Sequence, residues 1–253
     1  EKGWVNEVIA VYDKTVSVAR NRIAPEKFAE LLQDYADFLQ KNKQYHLVGS
    51  LYDETLSIYR TLVAQNSDVF ECNMATTLNN LALLHFNTQH RDLAEKEFNE
   101  ALKIYRHLAT NSPDAFECDL ATTLNNLATL HYQTQLFDKA EQEYLEALAI
   151  RRRLAEKNLE FFMSDVATTL NNLAILHKEF QRFDLAEMEY CEALEIRLKL
   201  AETHPDAFDS YVAGSLNNLA ILYANTQRFE LAENEYSKAI EILRRIAKKN
   251  PEA

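Results

Sequence analysis

Glycine and proline are nearly missing from this 253-residue chain, which has 3 of one and 4 of the other. So few turn-formers exclude a strand-rich barrel or sandwich and leave helix as the default. They also leave little material for a glycine-rich phosphate loop. No nucleophile elbow or metal-ligand spacing is present, so the segment reads as non-enzymatic, with no cofactor and no metal. Three cysteines make neither a disulfide framework nor a zinc pattern. They point to a reducing, cytoplasmic setting. No stretch approaches the roughly 18 apolar residues of a membrane span, and no signal peptide opens the chain. Positive charge is short too: 27 Lys and Arg stand against 39 Asp and Glu, a formal net charge of -12. That balance disfavours nucleic acid, including RNA read by helical repeats, and anionic membrane surfaces.

What the chain has in abundance is repetition. "ATTLNNLALLHFNTQ" begins at Ala75, "ATTLNNLATLHYQTQ" at Ala121, "ATTLNNLAILHKEFQ" at Ala167 and "AGSLNNLAILYANTQ" at Ala213, a constant interval of 46 residues. Rows of that length run without gaps over 29–74, 75–120, 121–166, 167–212 and a shortened 213–253. The first of these is degenerate, and residues 1–28 read as a half-repeat with an N-terminal helix. The chain opens without Met and closes on "NPEA", which reads as a piece of a longer protein.

Each row carries two helical patterns. In the second row Leu78, Leu81, Ala82 and His85 form one stripe; Leu93, Ala94, Phe98, Ala101, Leu102 and Ile104 form another. The short polar "NTQHRD" between them reads as a tight turn joining antiparallel helices. "SPD" at Ser112 and "HPD" at His204 carry helix-start chemistry, repeated as "NPE" at Asn250 and varied as "NSD" at Asn66. First helices of about twenty residues are therefore predicted to begin near the end of the preceding row.

Small residues recur in columns: Ala82, Ala128, Ala174 and Ala220; Ala94, Ala140, Ala186 and Ala232; Ala101, Ala147, Ala193 and Ala239. Tyr52, Phe98, Tyr144, Tyr190 and Tyr236 fill the gaps between them. Such alternation interdigitates packed layers. A lone helix pair cannot bury its stripe, so the rows must stack, each on its neighbours. The fold expected is an all-α solenoid of eleven helices, five pairs preceded by one, together one domain.

The offsets of Leu78, Leu81, Ala82, Ala94, Phe98 and Ala101 match the signature of the tetratricopeptide repeat. "LNNLATLHYQTQLFDKAEQEYLEALAIRRRLA" from Leu124 resembles the kinesin-light-chain type in particular. The usual tetratricopeptide row is about 34 residues, and the rows here exceed those of the kinesin-light-chain type by four residues. The extra residues are assigned to the segment around "DAFECDL", where Phe70, Phe116, Phe162 and Phe208 form a packing column. The resemblance implies a right-handed superhelix whose first helices line a concave groove for peptides or protein partners. Its ligand-contacting positions fall on Asn79, Leu83, Phe86 and Asn87; on Asn125, Thr129, Tyr132 and Gln133; on Asn171, Ile175, Lys178 and Glu179; and on Asn217, Ile221, Ala224 and Asn225.

Helical geometry places Asn79 and Asn80 off the core stripe, flanking the opposite face. A carboxamide both donates and accepts, so it can grip a peptide backbone without reading side chains. Packed helices lie about 10 Å apart, and an extended chain advances about 3.3 Å per residue. A ladder of Asn79, Asn125, Asn171 and Asn217 would thus meet every third residue. Specificity would come from Phe86, Tyr132, Lys178, Asn87, Gln133 and Asn225. Asn80, Asn126, Asn172 and Asn218 are expected to fix repeat stacking instead. The alternative function is architectural: a spacer, or a scaffold that self-associates end to end.

Three other clusters read as structural. His85, His131 and His177 sit on the core stripe one row apart, too far for one zinc, and are expected to be packed and hydrogen-bonded. Cys72, Cys118 and Cys191 are expected to be inert thiols. Glu95, Glu97 and Glu100 are read as a solvated convex face, as are Glu141, Glu143 and Glu146 and Glu187, Glu189 and Glu192.

Overall fold

The computed structural model of the chain describes residues 2–65 and 67–249, and among these every regular element is an α-helix. In chain order they are α1 (Lys2–Ala19), α2 (Pro25–Lys41), α3 (Tyr45–Gln65), α4 (Ser67–Asn87), α5 (Arg91–Asn111), α6 (Pro113–Gln133), α7 (Phe137–Lys157), α8 (Leu159–Glu179), α9 (Phe183–Thr203), α10 (Pro205–Asn225) and α11 (Phe229–Lys249). From α3 onward each is 21 residues long, about 31 Å at 1.5 Å per residue. The protein is an all-α helical-repeat solenoid.

Two compact units divide the chain, residues 1–130 and 131–253. In the first, α2 packs on α3, α3 on α4 and α4 on α5. In the second, α7 packs on α8, α8 on α9, α9 on α10 and α10 on α11. Each helix is held by its sequence neighbours, as a stacked-repeat core requires.

The columns account for that packing. Ala82, Ala128, Ala174 and Ala220 are fully buried, as are Ala94, Ala140, Ala186, Ala101, Ala147 and Ala193. A methyl at these positions lets two helix backbones approach closely. Tyr52, Phe98, Tyr144 and Tyr190 fill the space left between them and are buried as well. In the second unit Tyr190 of α9 sits among Ala174, Ala186, Leu219, Leu222, Tyr223 and Ala232. The Phe70, Phe116, Phe162 and Phe208 column is half-buried throughout.

Helix starts follow the sequence in part. Pro113 and Pro205 open α6 and α10, where proline gives up no intrahelical bond. His204 makes no side-chain cap bond to α10. Asn158, which carried no expectation, caps α8: its side chain accepts from the Phe161 N–H at 3.3 Å. The starts read at Asn66 and Asn250 lie outside the described residues.

The turn after each first helix is a Schellman cap built on a non-glycine residue. The Gln89 N–H donates to Phe86 O, and the His90 N–H to His85 O at 2.8 Å. Gln135, Gln181 and Gln227 repeat the arrangement, and Lys43 uses it after α2. All five sit at positive φ, 57° to 66°. A side chain there costs about 1–2 kcal/mol, of which glycine's extra chain entropy would give back a part. Gln181→Gly is therefore expected to raise the unfolding free energy by about 0.5 kcal/mol. Urea titration checks it; a loss would mean that the glutamine side chain makes a contact worth more than the strain.

Candidate functional site

Asn79 and Asn171, first asparagines of their rows, do not stand free. In the first unit the Thr123 hydroxyl donates to Asn79 Oδ1 at 3.3 Å. One row earlier Gln33 occupies the same column, and the Thr77 hydroxyl lies 3.2 Å from its Oε1. In the second unit Asn171 Oδ1 accepts from Asn218 Nδ2 at 2.9 Å. The carbonyl half of each amide is thereby tied to the next row, which fixes the plane of the group. Among the described residues neither Asn79 Nδ2 nor Asn171 Nδ2 has a partner, and no buried side-chain nitrogen or oxygen goes unbonded. Both donors therefore reach solvent. Asn217 is exposed, Asn79 and Asn171 are half-buried, and Asn125 is buried at 8% exposure.

The second asparagine acts as row-to-row cement at Asn218, which donates to Asn171.

The remaining candidate residues spread around this line. Asn87, Gln133 and Asn225 are exposed at the ends of α4, α6 and α10, and Phe86 is half-buried beside Asn87. In the second unit Lys178 is half-buried, with Nζ 3.6 Å from Glu179. Tyr132 lies 6.0 Å from the Phe137 ring, and Phe137 meets Phe180 edge-on at 5.0 Å. The Arg182 guanidinium covers Phe180 at 5.5 Å. Phe180, 41% exposed, stands where Thr88, Thr134 and Thr226 stand in other rows. That substitution was the available signal for this aromatic run, and row-by-row averaging conceals it.

The histidines are packed and paired as expected. His85 Nδ1 lies 2.7 Å from Glu97, His131 Nδ1 2.7 Å from Glu143, and His177 Nδ1 2.8 Å from Glu189. His177 also approaches Glu141 through Nε2 at 3.3 Å. These bonds hold the His177 pKa above its ordinary value, Glu189 being the leading cause. Burial pushes the Glu97 carboxyl up.

This corrects the reading of the acidic second helices as a solvated face. Glu97, Glu143 and Glu189 point inward to histidines and are only 13–16% exposed. Glu100 and Glu192 take Arg60 and Arg152 at 3.0 and 2.7 Å. Glu141 and Glu187 take Arg182 and Arg228. A helix-wheel sorts residues by face but not by what the neighbouring helix presents to that face.

Two buried arginines went unnoticed in the sequence. Arg151 and Arg197 occupy the column of Tyr59 and Tyr105. Arg151 donates to Thr169 Oγ1 and Arg197 to Ser215 Oγ at 2.6 Å. Burial lowers the Arg197 pKa. These guanidiniums join α7 to α8 and α9 to α10, using the column that supplies Thr77 and Thr123 in the first unit.

Cys72, Cys118 and Cys191 are in no disulfide, and burial raises the pKa of Cys72 and Cys191. Among the described residues no group of His, Cys, Asp and Glu is placed to hold a metal ion, and no helix is long and apolar enough to cross a membrane.

The geometry defines a class, a solenoid of stacked helix pairs. Tetratricopeptide repeat models match residues 119–199, 74–114 and 212–251. The chain belongs to the tetratricopeptide repeat family. Among solved structures it is similar to BtubC (BKLC) from P. vanneervenii, at 27% identity and TM-score 0.75, covering 97% of this chain and 92% of that one. It also resembles the apo form of RapI, at 16% identity and TM-score 0.68, covering 96% and 93%. A putative kinesin light chain from Podosopora anserina with nearly identical TPR-like repeats aligns at 15% identity and TM-score 0.66, covering 90% and 98%. No curated protein sequence matches the chain. The family makes this a protein-interaction module, typically a non-enzymatic scaffold.

Proposed function

We propose that the chain binds an extended peptide, or an unstructured segment of a partner protein, along the asparagine-bearing face of its first helices. The observation that carries this is the half-engaged amide. Asn79 and Asn171 spend their carbonyls on the next row and offer Nδ2 to solvent. A donor held in a fixed plane loses little entropy on binding, and a peptide carbonyl is its natural acceptor. Asn217 offers a whole amide, while Asn125 is too buried to contribute equally. In the first unit Phe86 and Asn87 would border the peptide. In the second, Tyr132, Gln133, Lys178 and Asn225 would do so, with Lys178 favouring a carboxylate. Three cysteines outside any disulfide suit a cytoplasmic protein.

The test is an array of unstructured peptides probed with two variant sets. Asn79→Ala, Asn125→Ala, Asn171→Ala and Asn217→Ala together are expected to abolish capture. Removing the row-to-row bonds of Asn79 and Asn171 also costs about 1 kcal/mol of stability each. Asn79→Asp with Asn171→Asp keeps the acceptor, removes the donor and adds a negative charge at each site. It is expected to weaken capture at least about tenfold with little change in melting. Undiminished capture by both sets rejects this reading.

A further inference from the structure

Arg197 is a buried cation with no acid set against it. The residue is 7% exposed, and among the described residues it makes no ion pair. Nη1 carries both of its hydrogen bonds, to Ser215 Oγ at 2.6 Å and to the Tyr211 carbonyl at 3.5 Å. Burial lowers its pKa, and no carboxylate offsets that loss of water. Fourteen residues on from Arg151 the chain has Asp165; fourteen on from Arg197 it has Tyr211. A charge taken out of water is ordinarily paired.

The other edge of the guanidinium is formed by Nε and Nη2. Among the described residues no buried side-chain nitrogen goes unbonded, so these two donors reach solvent. Side by side they make the fork that receives both oxygens of a carboxylate. The Tyr211 ring lies over the guanidinium at 5.6 Å and is itself 54% exposed, so it can turn aside without opening the core.

A cleft of about 400 Å³ ends beside this ring, lined by Asn158, Phe161, Leu200, His204, Ala207 and Phe208. Leu200 is one turn along α9 from Arg197. Phe208 is one turn before Tyr211 on α10, and the two rings are 6.2 Å apart. The cleft lies on the side of α10 that faces the preceding row: Ala207, Tyr211 and Asn218 share about 40° of the helix circumference, and Asn218 bonds Asn171 of α8. Phe161 stands where the rows before and after have Ala115 and Ala207, so this apolar wall belongs to one row. The two polar residues of the lining are engaged, Asn158 in capping α8 and His204 with the Thr203 hydroxyl at 2.9 Å. A peptide backbone would find few partners there, whereas an apolar chain would be covered.

We propose that the second unit binds a free monocarboxylic acid with an apolar chain, the chain in the cleft and the carboxylate on the Nε and Nη2 edge of Arg197. Tyr211 moves off the guanidinium to admit it. The site uses none of the asparagines assigned to peptide binding.

Calorimetric titration of the full chain with octanoate tests it. One equivalent is expected to bind, at least about tenfold more tightly than octan-1-ol, which keeps the chain and drops the charge, or acetate, which keeps the charge and drops the chain. Arg197→Met is expected to bring octanoate down to the affinity of octan-1-ol and to leave octan-1-ol unchanged. Ala207→Trp fills the cleft without touching Arg197 and is expected to abolish binding of both. It replaces an exposed residue, so the fold should persist by circular dichroism, and it decides the matter should Arg197→Met fail to fold. Octanoate that shows no saturable binding, or binds no better than octan-1-ol or acetate, overturns the proposal. So does octanoate binding that either folded variant leaves intact.

Discussion

Tyr190→Ala is expected to destabilise the protein by about 3–5 kcal/mol, the range for losing a buried aromatic side chain. Tyr190 is 1% exposed and touches residues of α8, α9, α10 and α11 in the second unit. Its alanine neighbours Ala174, Ala186 and Ala232 have no side chain long enough to collapse into the void. The cavity would stay open, and the transfer and cavity terms would both count. Tyr236→Ala makes the same chemical change in the same column at α11, where the ring is only half-buried. It is expected to cost about 1 kcal/mol. Urea unfolding of the two variants gives the comparison. Equal losses would mean that the column's sequence, rather than its cover, sets the energy.

His177→Ala carries the second large effect, and its size should depend on pH. His177 lies between Glu189 of α9 and Glu141 of α7, with Arg182 also on Glu141. Glu189 and Glu141 are 16% and 25% exposed, so removing the imidazolium leaves two poorly hydrated carboxylates short of a cation. A loss of about 2–4 kcal/mol is expected near pH 6. The folded-state pKa of His177 is raised. Its contribution is therefore fully present below the unfolded value near 6.5 and fades as pH rises through the higher folded value. At strongly acid pH the carboxylates take up protons and the difference should shrink again. The penalty of the substitution, measured by urea unfolding from acid to alkaline pH, should thus peak in mildly acid solution. A penalty independent of pH would show that His177 acts by packing alone.

The row interval, the alanine columns and the large aromatics are local facts repeated at a fixed spacing. Stacking is the one arrangement that buries such columns, so the number of helices, their order and their core were legible without coordinates. The off-core position of Asn79 followed from helical periodicity for the same reason. Periodicity cannot say which atom of an amide a neighbouring helix will take. Whether Asn79 and Asn171 give up their carbonyls depends on where Thr123 and Asn218 arrive from the next row. The inward turn of Glu97, Glu143 and Glu189 and the burial of Arg151 and Arg197 are decided likewise by the element lying opposite. A single chain's pattern assigns each residue to a face. Only the packed neighbour determines whether that face meets a histidine, a hydroxyl or water.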